Sequence, residues 1–102
     1  MEKFKLSSKE NGQIVYDEVE GERITVGGVE AFIFKQDIED FEGDTVDGWN
    51  ISHLETGMKI ASDFDRQCTI DKAVSNCEKY PEAIERGRQI CIELGITLPV
   101  NV

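Results

Sequence analysis

The sequence predicts an α+β fold, a two-layer sandwich in which an antiparallel sheet of four to five strands, built from hairpins, is covered by one kinked or two C-terminal helices. Three observations predict it. Apolar residues alternate with period two, broken by glycine turns, from Gln13 to Ala61. They then recur at helical spacing from Ile70 to Leu94. No linker or repeat divides the 102 residues, so one domain spans 1–102.

The elements follow in order. Residues 1–12 are polar and end in Asn11-Gly12; Phe4 and Leu6 suit a brief edge strand, or the segment frays. From Gln13 to Lys35 a three-strand meander is expected. Gly21 marks its first turn, and Gly27-Gly28 its second, of type I′ because both central residues need positive φ. Ala31-Phe32-Ile33-Phe34 is apolar on both faces, which suits a central strand or one with a covered face. Trp49, Ile51 and His53 share one face of the next strand. Glu55-Thr56-Gly57 is its turn, and Met58 and Ile60 lie on the strand that returns.

Thr69 is the expected N-cap of the first helix, with Asp71 in the first turn. Ile70, Ala73, Val74 and Cys77 form its stripe. Pro81 either kinks a long helix or starts a second one. Ala83, Ile84, Gly87, Ile90, Cys91 and Leu94 form the second stripe, and Gly95 is the stop. Ile96, Leu98 and Val100 alternate, so the tail suits an edge strand.

The charge is lopsided. The chain carries 21 acidic and 11 basic residues, a net charge of −10. Residues 1–50 hold 13 acids and 5 bases, and residues 51–102 hold 8 and 6. Direct binding to a nucleic-acid backbone or an anionic membrane needs the opposite sign. The start, Met-Glu-Lys-Phe-Lys-Leu-Ser-Ser, has no apolar stretch of the kind a signal peptide needs. Cys68, Cys77 and Cys91 are odd in number and lack Cys-x-x-Cys spacing, which suits a reducing, cytoplasmic setting.

Residues 36–48 hold six carboxylates and no Lys or Arg, so an acidic loop is expected, with Ile38 and Phe41 pinning one helical turn to the core. Read as a calcium loop from Asp40, it fails. Thr45 stands where the glycine belongs and Ile51 where the bidentate Glu belongs. A second run, Asp17, Glu18, Glu20 and Glu22, lies around the first turn. His53 is the lone histidine, and no catalytic signature surrounds any Cys. No metal or cofactor is expected. Lys79, Arg86 and Arg88 form a small basic group, with Glu82 placed to pair with Arg86.

The sequence thus points to a non-enzymatic protein that binds a partner with a basic surface. The contact residues expected are Asp37, Glu39, Asp40, Glu42, Asp44 and Asp47, with Trp49 either a core anchor or an interface residue beside them. Size and charge, though no motif, are shared with small acidic inhibitors that occupy nucleic-acid channels, among them phage proteins that block host nucleases. A DNA-mimic role follows by that analogy alone. The alternative is a structural or accessory domain, such as a homo-oligomer, whose charge serves solubility.

Overall fold

Two glycine-containing turns set the first half of the chain. Asn11-Gly12 (φ 51° and 78°) and Gly27-Gly28 (φ 56° and 79°) all take left-handed backbone, as type I′ hairpins demand. In the computed structural model, which describes residues 1–101, these turns join β1 (Glu2–Glu10), β2 (Gln13–Val26) and β3 (Val29–Glu39). Then come β4 (Thr45–His53), β5 (Lys59–Asp63), α1 (Arg66–Lys79) and α2 (Pro81–Glu93). The strands form one antiparallel sheet in the order β1-β2-β3-β4-β5, with the two helices as the second layer. The α+β two-layer arrangement is therefore the one the sequence predicts. The N-terminal segment is neither frayed nor brief: β1 is nine residues long and buries Phe4.

Gly21 is not a turn. It lies inside β2, where the strand changes partner: Gln13–Gly21 pair with β1, and Glu22–Val26 pair with β3. A Cβ at Gly21 would sit 2.3 Å from the carbonyl oxygen of Ile33. The glycine is there for close backbone approach. Beyond it the β1–β2 ribbon swings over one face of β3. Phe4, with Leu6 and Val19 beside it, packs on Phe32, Phe34 and Leu54. Phe4 stacks on Phe32 with ring centroids 4.6 Å apart, and Phe34 stacks next to it at 5.7 Å. The opposite face meets α1, with Val26, Ala31, Ile33, Ile51 and Ala61 closing on Ala73 and Cys77. Both faces of β3 are covered, which explains its unbroken apolar run. Each fully buried Phe or Ile contributes about 1.5–3 kcal/mol, and each ring pair about 0.5–1.5 more.

Asp65, not Thr69, caps α1. Its Oδ2 accepts from the Cys68 amide at 3.0 Å. Thr69 is one turn inside, fully buried, and its hydroxyl donates back to the Asp65 carbonyl at 2.7 Å. Asp71 consequently falls beyond the first turn. Pro81 is the first residue of a separate helix, since α1 ends at Tyr80 with ψ 56°. Gly95 (φ 77°) ends α2 in a Schellman motif, with the Ile96 amide on Cys91 O and the Gly95 amide on Ile92 O.

Both outer strands of the sheet carry edge contacts from other parts of the chain. On β5, Asn76 Nδ2 donates to Ile60 O at 3.0 Å and Lys72 Nζ to Ser62 O at 3.2 Å. The tail does not add a strand to β1. Instead Asn101 brackets Lys5: Oδ1 accepts from its amide at 2.7 Å, and Nδ2 donates to its carbonyl and to Leu54 O, both at 3.0 Å. The next β1 amide, Ser7, donates to Gly57 O at 2.9 Å. These contacts occupy edge groups that an added strand would otherwise use. No helix among the described residues is long and apolar enough to cross a membrane.

Candidate functional site

The acidic segment is a ribbon, not a loop. β3 and β4 pair from Ala31↔His53 out to Glu39↔Thr45. β2 accompanies β3 only as far as Ile33, and β5 accompanies β4 only back to Trp49. Lys35–Glu39 and Thr45–Gly48 therefore project beyond their neighbours as a two-stranded arm. Charge repulsion does not forbid this, because Asp37, Glu39, Glu42, Asp44 and Asp47 are all exposed to water.

Alternation sorts the arm into two faces. One continues from the helix-facing side of the sheet and carries Lys35↔Trp49, Asp37↔Asp47 and Glu39↔Thr45. Asp37 and Asp47 are directly opposed, a like-charge pair that disfavours the hairpin. The other face carries Ile38↔Val46 and Gly48, with Ile38 lying over the glycine: a Cβ there would meet Ile38 Cγ1 at 2.7 Å. At the tip, Asp40 holds the turn. Its Oδ1 accepts from the amides of Glu42 and Asp44, both at 2.9 Å, and its own amide donates to Asp44 O at 2.9 Å. Asp40 is thus committed to shaping the tip, while Glu42 and Asp44 are exposed on it. Phe41 pins nothing to the core. It stands fully in solvent at the end of the arm.

Trp49 sits at the base, half buried and partly packed on the α1 side of the core. Lys35 Nζ lies 5.4 Å from its ring centroid and the Arg66 guanidinium 5.8 Å. It is neither a deep anchor nor a free contact, but an aromatic seat for two cations. Arg66 also donates to Glu22 at 3.0 Å. The second acidic run lies along β2, not in a turn, and through Glu22 and Arg66 it meets the base of the arm. Glu18 within that run pairs with Lys3 at 3.6 Å.

The remaining reactive groups are held quiet. All three cysteines are free, and Cys77 and Cys91 are buried. The Cys68 thiol is pushed up by its hydrogen bond to the Asp65 carboxylate, and burial raises Cys77 and Cys91. None is activated as a thiolate. His53 is buried and kept neutral-leaning by that burial, and its Nδ1 lies 3.0 Å from Thr56 Oγ1. His53 and Cys77 line one cavity, but no hydrogen bond joins them. Among the described residues, no three His, Cys, Asp or Glu side chains gather as metal ligands would. In the basic group, Arg88 rather than Arg86 makes the ion pairs, with Glu55 and Glu85.

Sequence reasoning missed two features. The exposure of Phe41 had one signal, its place among six carboxylates, which no core tolerates. The cavity beside His53 had none, since its walls come from four separate elements. No family model, curated protein or solved structure matches the chain.

Proposed function

We propose that this is a small, non-enzymatic acidic binding protein of the cytoplasm that presents the β3–β4 arm to the basic surface of a partner protein. One observation carries the reading. The chain holds a like-charge pair, Asp37↔Asp47, and a fully exposed Phe41 on an arm that no neighbouring strand accompanies. Both features cost the free protein stability or solubility, and both favour an Arg- and Lys-rich site with an apolar cleft for the ring. Glu39, Glu42 and Asp44 extend the charge, and Asp40 fixes the tip. Rigidity matters here, because a preformed tip loses little entropy on docking. A nucleic-acid-binding protein is the partner class that such a carboxylate array suits best, and inhibition by occupying its channel is the corresponding action. The quiet thiols fit a reducing compartment and a role without covalent chemistry.

The test is capture of partners from nuclease-treated lysate of the source cell, at about 0.1 M and about 0.5 M salt, where the screening length falls from about 10 Å toward a few ångströms. Baits are the native chain, Phe41→Ala, and a quadruple variant with Asp37, Glu39, Asp44 and Asp47 changed to amides. A nucleic-acid-binding protein held only at low salt, and lost from both variants, is the expected result. Capture indifferent to salt and to both variants overturns the reading. Self-association is the competing account, favoured by the exposure of Ile90, Ile92 and Leu94 on α2. It predicts a dimer that salt leaves intact.

A further inference from the structure

A cavity of about 360 Å³ opens where the α1–α2 junction faces the β4–β5 turn. Its size is that of a small-molecule site, and its walls are mostly apolar: Met58, Ile60, Cys77, Ala83, Ile84 and Gly87. Gly87 is a glycine inside a helix, a choice that costs about 0.5–1 kcal/mol relative to alanine. Here it seats α2 against the Met58 sulfur, which a Cβ would approach to 3.1 Å.

The polar groups at this cavity are few and of one kind. His53 is only 8% exposed, and its Nε2 has no hydrogen bond among the described residues. Thr56 Oγ1 accepts from the Met58 amide at 3.2 Å and lies 3.0 Å from Nδ1. When the Thr56 hydroxyl donates its proton to Nδ1, the ring proton sits on Nε2, and this is the tautomer the site requires. That nitrogen is not a buried atom lacking a partner, so it keeps access to solvent and is open to the acceptor of a ligand. Lys59, which is exposed, borders the same cavity and makes none of the ion pairs among the described residues. Tyr80, also on its rim, begins α2 without a side-chain cap, so the positive end of that helix lies at the cavity too. Glu82 in the first turn and Glu55 beside His53 oppose this, but Glu55 is bound by Arg88.

We infer that this cavity is a binding site for a small amphipathic monocarboxylate, with its apolar body against Met58, Ile84 and Gly87 and its carboxylate accepting from His53 Nε2 and Lys59. One ammonium and one neutral donor suit a single negative charge. A phosphate dianion would find too few partners, and an amine would meet Lys59 and a helix N-terminus. The site is independent of the acidic arm.

Phenylacetate and its neutral isostere phenylacetamide are the probes, titrated into the ¹⁵N-labelled full chain and followed by NMR. Phenylacetate at millimolar concentration is expected to shift the amides of Met58, Ile84 and Gly87 saturably. Because the chain has one histidine, its ring nitrogens are unambiguous, and Nε2 should move more than Nδ1. Lys59→Gln, at an exposed site, should weaken phenylacetate about tenfold, as loss of a charge-assisted hydrogen bond does. It should leave the amide probe unchanged. Ala83→Phe, also at an exposed position, should block both probes while preserving the spectrum elsewhere. Equal affinity for the two probes, shifts outside the cavity, or no saturable shift in the well-folded native chain would each overturn the assignment.

Discussion

Replacing Asp47 by Lys puts a price on the acidic arm. Asp37 and Asp47 face each other across the two strands, both exposed. Directly opposed side chains have Cβ atoms about 5 Å apart, and such pairs are worth about 0.2–1 kcal/mol. In water two unit charges at that range interact by somewhat under 1 kcal/mol. Removing the repulsion and adding an attraction of similar size should therefore stabilise the free protein by about 1 kcal/mol, a rise in Tm of about 4–8 °C for a domain of this size. The control is Glu10→Lys, which makes the same change in net charge at a position facing uncharged Gln13. Thermal and urea unfolding at low salt should rank Asp47→Lys above Glu10→Lys, and about 1 M salt, with its Debye length near 3 Å, should close the gap. The same substitution should abolish partner capture. If Asp47→Lys is no more stable than the control, or if its advantage survives high salt, the arm is not held against electrostatic cost and the argument for its function fails.

Three further outcomes are expected. Gly21→Ala should cost about 3 kcal/mol, since a Cβ placed 2.3 Å from Ile33 O must prise β2 from β3, whereas Gly12→Ala, strained in φ but facing open space, should cost about 1; equal losses in urea would refute the crossing. Asn101→Ala removes three hydrogen bonds, about 2–3 kcal/mol, and should speed exchange of the Lys5 amide; unchanged exchange would show that the edge is closed by something else. Burial lowers the pKa of His53, so as pH falls through the ordinary histidine range near 6.5 the unfolded chain takes up the proton first, and stability drops until the lowered value is passed. Above that range the contribution is complete. His53→Gln should flatten this part of the stability profile, and an unaltered slope would mean the imidazole is not desolvated.

What could be read from the residues was what local chemistry decides. Gly27-Gly28, Pro81 and Gly95 announce a turn, a helix start and a helix stop because the backbone angles they permit are their own property. Gly21 carries the same letter for another reason, a carbonyl twelve positions away in sequence, and so it passed for a turn. Asp65 and Thr69 both suit an N-cap, and the choice rests on burial of the threonine, which only the packed sheet supplies. The acidic segment is legible as a run of carboxylates, but its strand pairing is not. Repulsion argues against a packed element, and an arm pairing only with itself is not one. The cavity at His53 stayed hidden because the β4–β5 turn and the helix junction meet through the core rather than along the chain.

The bracket that Asn101 places on Lys5 also bears on the order of folding. The two residues are 96 apart in sequence. Closing a loop of that length directly costs about 4 kcal/mol of chain entropy, more than the bracket returns. Only after α1 and α2 have docked, burying Cys77 and Cys91, does the remaining closure shrink to the ten residues beyond Cys91. The β1 margin should then be the last part of the sheet to lock. Until it does, Lys5 offers an open strand edge to any neighbouring chain. A variant without the Asn101 side chain would keep both cores and yet leave that edge open, so Asn101 acts less as ballast than as the latch that closes the Lys5 edge.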